Sequence, residues 1–275
     1  MDIYKRIADF YDGVNAEKRI IGNSLFGRKL FAVKVGDGAP VGIAQYAIHG
    51  REFITARLAI EQYKKGIKKG SCWFVPLVNP DGALLSEKGL DSVTDERAAA
   101  FLKSIHKDKP FSLWKANGRG VDLNVNFDAD WGNGVKNVRF AGAENYIGNE
   151  PFSELEALAL KEFTEQIRPD YTVSYHTKGE EIYWQFHQSP AALERDRRLA
   201  ESLARATGYS LAQAKGSVGG YKDWCIKKWA IPAFTIEAGA ERFSHPIVSK
   251  DGWQNVLAHN LNALYVLSGE IENRL

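Results

Sequence analysis

Four apolar runs in the sequence end in residues able to do chemistry. Val41 to Ile48 leads into His49-Gly50-Arg51-Glu52, and Cys72 to Val78 into Asn79-Pro80-Asp81-Gly82. Tyr171 to Tyr175 leads into His176-Thr177-Lys178-Gly179-Glu180, and Ile231 to Ile236 into Glu237-Ala238-Gly239. If these runs are strands of one open sheet, their carboxyl ends share an edge, where such sheets gather ligands. Two histidines and two glutamates at that edge suit a catalytic zinc: two imidazoles and one carboxylate hold the ion, a fourth position takes water, and a further carboxylate serves as base. His49 and Glu52 stand three residues apart where a strand hands over to a helix, so both can turn toward one point. A solitary His-x-x-Glu reads as surface decoration; the second histidine and second glutamate, each after its own strand, reverse that reading. His106, His187, His245 and His259 pair with no second ligand at useful spacing. Gly36-Asp37-Gly38 is too fragmentary for a dinucleotide loop, and no nucleophile elbow surrounds a serine.

The elements that must position these residues alternate along the chain. Phe31 to Val35 and the four runs above are rich in Val, Ile, Phe and Tyr and read as strands. Glu52 to Lys69 carries apolar residues at Phe53, Ala56, Ala59, Ile60 and Tyr63, a helical stripe with four lysines near its C-terminal end, where they suit the helix dipole. Ser153-Glu154-Leu155-Glu156 reads as a capping box opening a helix to about Ile167, and Ser189-Pro190 opens another that Gly208 closes. Asp251 with Gln254 opens a last helix ending near Gly269, and the first residues, to Tyr11, read as an amphipathic helix. Gly82 to Gly120 reads as an irregular insertion with one helix around Asp95 to His106. This rhythm predicts an α/β fold: a single domain over residues 1–275, with a central mixed sheet and helices on both faces.

Composition agrees with that class. The chain has 275 residues, 44% hydrophobic and 25% charged, with 25 Gly, 9 Pro and 2 Cys. This excludes intrinsic disorder and a disulfide-framed mini-protein. A formal net charge of +2 makes nucleic acid a poor first partner. The longest apolar runs are far too short to span a bilayer, so no membrane partner is expected. Cys72 and Cys225 look like small buried residues, and whether they pair is not legible. The charged N-terminus lacks the apolar run of a signal peptide, so the expected location is cytoplasmic, or secreted if the native start has been trimmed.

The blocks His49-Gly50-Arg51-Glu52, Asn79-Pro80-Asp81-Gly82, Gly120-Val121-Asp122-Leu123-Asn124, Ser174-Tyr175-His176 and Phe234-Thr235-Ile236-Glu237 resemble, in order, those of the zinc carboxypeptidase (M14) family. The resemblance implies that His49, Glu52 and His176 bind one zinc ion and that Glu237 is the general base. The roles are chemically sensible: zinc acidifies water, and an adjacent carboxylate can take the proton and pass it to the departing amine. Asp122 matches the family position that hydrogen-bonds the first histidine and fixes its tautomer. Where the family has an arginine after a tryptophan to meet the oxyanion, this chain has Trp114-Lys115; Lys115 could supply the charge, with Arg119 as competitor.

Two departures bear on the substrate. Typical members follow Gly-Val-Asp with an Asn-Arg clamp for the α-carboxylate; here Asn124 is followed by Val125, which cannot replace a bidentate arginine. In Lys215 to Trp224, Lys215 falls at the family's mobile tyrosine position, Tyr221 could stand in if the loop is reshaped, and Lys222 falls near the floor of the side-chain pocket. These features, with Trp114 to Gly120 and His176 to Trp184, look like the bacterial branch that cuts γ-D-glutamyl–diaminopimelate bonds. A carboxylate-rich substrate suits Lys178, Lys215, Lys222 and Arg139 nearby. The resemblance therefore implies a zinc peptidase acting on a small, diaminopimelate-containing murein peptide. The alternatives are an N-acyl amino acid deacylase, an ordinary metallocarboxypeptidase, and an inactive ligand-binding homologue.

Overall fold

The computed structural model describes residues 1–106, 110–214 and 216–271. Its strands are β1 (Lys18–Asn23), β2 (Lys29–Gly36), β3 (Val41–Tyr46), β4 (Ser71–Val75), β5 (Tyr171–His176), β6 (Glu181–Tyr183), β7 (Ser210–Ala212) and β8 (Ala233–Glu237). The helices are α1 (Ile3–Gly13), α2 (Ile54–Lys65), α3 (Pro80–Lys88), α4 (Glu96–His106), α5 (Leu155–Ile167), α6 (Pro190–Thr207), α7 (Tyr221–Trp229), α8 (Lys250–Asn260) and α9 (Ala263–Glu270). One mixed sheet runs in the order β1-β2-β4-β3-β5-β8-β6-β7. Its four central strands, β4, β3, β5 and β8, are parallel, flanked by antiparallel β2 and β6.

Parallel strands covered on both faces must be apolar on both, and β4 and β5 are buried along their whole length. On one face Tyr46, Phe74, Tyr175 and Phe234 pack with Leu58 of α2, Leu203 of α6, Val256 of α8 and Leu264 of α9. On the other, Ile43, Trp73 and Ala233 pack with Phe163 of α5 and with Trp224 and Cys225 of α7. Fully burying one such large side chain contributes about 1.5–3 kcal/mol. The predicted α/β class, the mixed sheet and the helices on both faces are what the structure has. Cys72 and Cys225 are free and lie in different core clusters.

The chain leaves β3 toward β4 on one side, and β5 lies on the other, so strand order reverses between β3 and β5. Ligand crevices of open sheets form at such a reversal. Below it, Tyr46 and Tyr175 stack with centroids 4.9 Å apart. The Tyr46 hydroxyl donates to Gln62 Oε1 at 2.6 Å, and Gln62 Nε2 donates to the Tyr175 hydroxyl at 2.7 Å, tying both strand ends to α2.

Several elements differ from the sequence reading. The helix expected over Glu52 to Lys69 is a short 3-10 turn, Gly50–Glu52, followed by α2, which Gly66 ends at φ +80°. Ser153 does not cap α5. Its hydroxyl donates to Glu154 Oε1 at 2.9 Å and accepts from Asn126, and the helix starts at Leu155 without a side-chain cap. The last helix is broken in two because the Asn260 carbonyl accepts from Gln62 Nε2 instead of serving a continuing helix. The stretch from Gly82 to Gly120 is less irregular than expected: α3 opens at Pro80, capped by the Asn79 side chain, which accepts from the Gly82 amide at 2.8 Å. β1, β6, β7 and α7 were not anticipated.

Candidate metal centre and adjoining cavity

His49 lies just beyond β3 at the head of the 3-10 turn, whose closing bond runs from the Glu52 amide to the His49 carbonyl at 3.1 Å. That turn folds Glu52 back toward His49. Gly50 is required inside it, because a Cβ there would collide with the Gly82 carbonyl; its amide also donates to the Lys115 carbonyl at 2.9 Å. His176 is the last residue of β5, in register with Glu237 at the end of β8. Two neighbouring parallel strands therefore deliver the second histidine and second glutamate to one edge.

The ligating atoms converge. His49 Nδ1 lies 2.9 Å from Glu52 Oε1, His176 Nδ1 lies 3.0 Å from Glu52 Oε2, and the two Nδ1 atoms are 3.1 Å apart. All three residues are buried, and among the described residues this is the group of His, Cys, Asp and Glu whose ligand atoms gather closely enough for a metal. Zinc ligands at about 2.0–2.1 Å sit about 3.3 Å from one another around a tetrahedron, so this donor set fits the ion by type and by spacing. Burial alone would raise the Glu52 carboxyl, but His49 and His176 outweigh it and hold it well below the usual carboxylate range, ready as an anionic ligand.

Asp122 is fully buried behind His49, with Oδ1 3.2 Å from His49 Nε2 and Oδ2 2.7 Å from Lys115 Nζ. The amides of Asn124 and Asn145 each donate to it at 3.1 Å. Burial pushes its carboxyl up, yet the charges of Lys115 and His49 hold it well below the usual range. Asp122 thus bridges His49 and the lysine. Glu237 is partly open to the adjoining cavity, but lies deep enough that desolvation pushes its carboxyl up to about 7; the nearby Glu52 adds to that, and His176 and Lys115 oppose it.

That cavity, about 180 Å³, is lined by Glu237, Asn124, Tyr183, Thr235, Gly220, Lys222 and Asp223 among others. A wider cleft of about 850 Å³ shares Tyr183 and Ser217 with it and is walled by Arg51, Lys115, Val125 and Lys136. The structure therefore brings His49, Glu52, His176, Asp122, Lys115, Glu237, Asn124 and Lys222 into one neighbourhood.

Other candidates fall elsewhere. Arg119 Nε lies 3.5 Å from Glu154 Oε2, half exposed, and lines neither cavity. Lys178 Nζ is held by the Glu241 carbonyl at 2.7 Å and its carboxylate at 2.9 Å. Arg139 is exposed and stacks on Trp131. Tyr221 cannot stand in as a mobile substrate-binding tyrosine. As the first residue of α7 it is fully buried against Phe127 and Trp224, with its hydroxyl 2.9 Å from Thr164 Oγ1. Lys215 lies outside the described residues.

Sequence reasoning missed Tyr183, Thr235 and Asp223 as lining residues. Asp223 had a usable signal, an opposite charge beside Lys222. It also passed over His245, whose Nδ1 is 3.5 Å from Thr177 Oγ1 and whose ring burial depresses to about 4, with Glu52, Arg51 and His49 near enough to bear on its charge. Tertiary folding alone brings that loop to the centre.

A zinc carboxypeptidase family profile matches residues 14–246. The chain is 29% identical over 266 residues to gamma-D-glutamyl-L-diamino acid endopeptidase 1 of Lysinibacillus sphaericus, covering 90% of this chain and 66% of that protein, so it spans just under two thirds of that relative's length. Its fold matches the crystal structure of murein-tripeptide amidase from Escherichia coli O157 with a TM-score of 0.63, 24% identity and coverage of 93% and 94% of the two chains. It also matches bovine thrombin-activatable fibrinolysis inhibitor, in a complex with tick carboxypeptidase inhibitor, with a TM-score of 0.79, 19% identity and coverage of 98% and 96%. With the profile covering most of its length, this chain belongs to the zinc carboxypeptidase family.

Proposed function

We propose that this chain hydrolyses the amide between γ-D-glutamate and diaminopimelate in small murein peptides, with His49, Glu52 and His176 holding one zinc ion. When bound, zinc supplies a Lewis acid that acidifies water and polarises a carbonyl oxygen. Glu237 takes the proton of the attacking water on a carboxylate oxygen and returns it to the leaving amine nitrogen. A carboxyl at about 7 can do both near neutral pH. Lys115, held at the cleft wall by Asp122, presents fixed positive charge to the oxygen of the scissile carbonyl as it gains charge. Asp122 also orients the His49 ring. The catalytic unit in this reading is one domain spanning residues 1–275.

The observation that carries the proposal is a charged cavity reaching from Glu237 to Lys222 and Asp223, beside a donor set that fits zinc. Two features support the substrate class. Val125 stands in the cleft where a carboxylate-clamping arginine would make an ordinary carboxypeptidase, and the relative from Lysinibacillus sphaericus is named for a γ-D-glutamyl-L-diamino acid bond. Mass spectrometry of zinc-loaded protein with L-Ala-γ-D-Glu-meso-diaminopimelate and a panel of ordinary α-peptides and N-acyl amino acids tests it. Free diaminopimelate is the expected product. Trimming of α-peptides or deacylation in preference to the murein tripeptide would overturn the assignment.

A further inference from the structure

Lys222 and Asp223 are neighbours in sequence and opposite in charge, and both line the cavity that Glu237 also lines. Lys222 Nζ lies 2.5 Å from Asp223 Oδ1, and each side chain is 7% exposed. Burying an ion pair costs desolvation, and an apolar wall would line a cavity at less cost. Neither partner is saturated among the described residues. The ammonium has three donors, of which Asp223 takes one and the Gln185 carbonyl, at 2.9 Å, another, and it stands 5.7 Å from the centroid of the Phe186 ring, which takes no conventional hydrogen bond from it. Asp223 accepts from Lys222 on one oxygen and from the Gly220 amide at 3.3 Å on the other, leaving lone pairs on both.

Building on the reaction assigned above, we propose that the Lys222–Asp223 pair is a zwitterion-reading subsite that binds the distal amino acid centre of diaminopimelate, its carboxylate against Lys222 and its ammonium against Asp223. A lone lysine would select any acidic side chain. A neutral pair disfavours a single charge of either sign, because whichever group a one-charge ligand leaves unmatched repels it. An ammonium and a carboxylate on one carbon satisfy both partners. When the near amine of diaminopimelate is the nitrogen of the scissile amide at Glu237, its far centre extends along the same side chain, into the same cavity. Thr235 and Tyr183 also line that cavity.

The test compares kcat/KM for three γ-D-glutamyl amides that differ only at the far end: diaminopimelate, lysine (no distal carboxylate) and 2-aminopimelate (no distal ammonium). Each truncation should cost about ten- to a hundredfold, as unpaired charged groups do. Lys222→Met should erase the discrimination against lysine and keep that against 2-aminopimelate. Asp223→Asn, which retains an acceptor for the Gly220 amide, should do the converse. Calorimetric binding of the three free amino acids to the same proteins reads the cavity without turnover. Rates and affinities within about twofold across the three ligands, or variants that weaken all three alike, would overturn the inference. Preferential binding of diaminopimelate without cleavage of any γ-glutamyl amide would uphold the subsite and overturn the assigned reaction.

Discussion

In the proposed reaction, Glu237 and the triad beside it divide the chemistry between a proton carrier and a metal cradle. Glu237→Gln removes the proton carrier while leaving His49, Glu52 and His176 in place. Turnover should fall by about 10²–10⁴ with zinc content unchanged, read by steady-state kinetics and metal analysis on one sample. The pH dependence follows from the direction of the shift. Glu237 works as a base only when ionised, and burial raises its carboxyl to about 7. Activity per free enzyme, kcat/KM, should therefore drop about tenfold per pH unit below the Glu237 pKa, which burial raises and bound zinc would draw back down, so the acid limb should fall between the ordinary glutamate range and about 7. At this scale the sequence was informative about His49, Glu52, His176 and Glu237, because each follows a strongly apolar run whose end can be read. It was less informative about Tyr221, whose apolar ring suited the core of α7 better than a mobile loop, and about His245, which only the fold brings near the site.

The elements hold the strand ends that carry the candidate centre. β3 and β5 end at the reversal of strand order, and the stacked tyrosines with Gln62 pin those ends to α2. At the start of α5, Glu156 is fully buried, and burial together with Asp81 and Glu154 raises its carboxyl to about 8. An acid whose folded pKa lies above its unfolded value makes the folded state bind the extra proton, so stability is greatest below the unfolded value and declines until the pH passes about 8. Glu156→Gln should flatten the fall in Tm between about pH 5 and pH 8, seen by calorimetry across that range. An unchanged slope would show that other groups cause it. The strand and helix rhythm was visible because apolar periodicity is local information. The splitting of the last helix at Asn260 and the late start of α5 were not, since both turn on hydrogen bonds to Gln62 and Asn126, far away in sequence.

At the scale of the whole molecule, the near-zero net charge of +2 averages over local groupings: His49, Glu52 and His176 at the candidate metal centre, a cleft walled by Arg51, Lys115 and Lys136 together with Glu144 and Glu181, and a neutralised pair lining the cavity. No described helix is long and apolar enough to cross a membrane. Because the proposed ligands come from the turn after β3 and the end of β5, bound zinc should brace the central sheet. A ligand bound to the folded state at a hundred times its Kd adds about 2.7 kcal/mol, and each kcal/mol shifts Tm by about 2–4 °C in chains near this size. Chelation should lower Tm by several degrees, and His176→Ala should remove most of that difference. The central claim is hydrolysis at the γ-carbonyl of D-glutamate, and it is tested most directly by running the reaction on L-Ala-γ-D-Glu-meso-diaminopimelate in heavy-oxygen water and locating the label by mass spectrometry. The account predicts label in the γ-carboxylate of the released L-Ala-D-Glu and none in diaminopimelate; label in any other carboxylate, or an intact tripeptide with zinc-loaded protein, would contradict it.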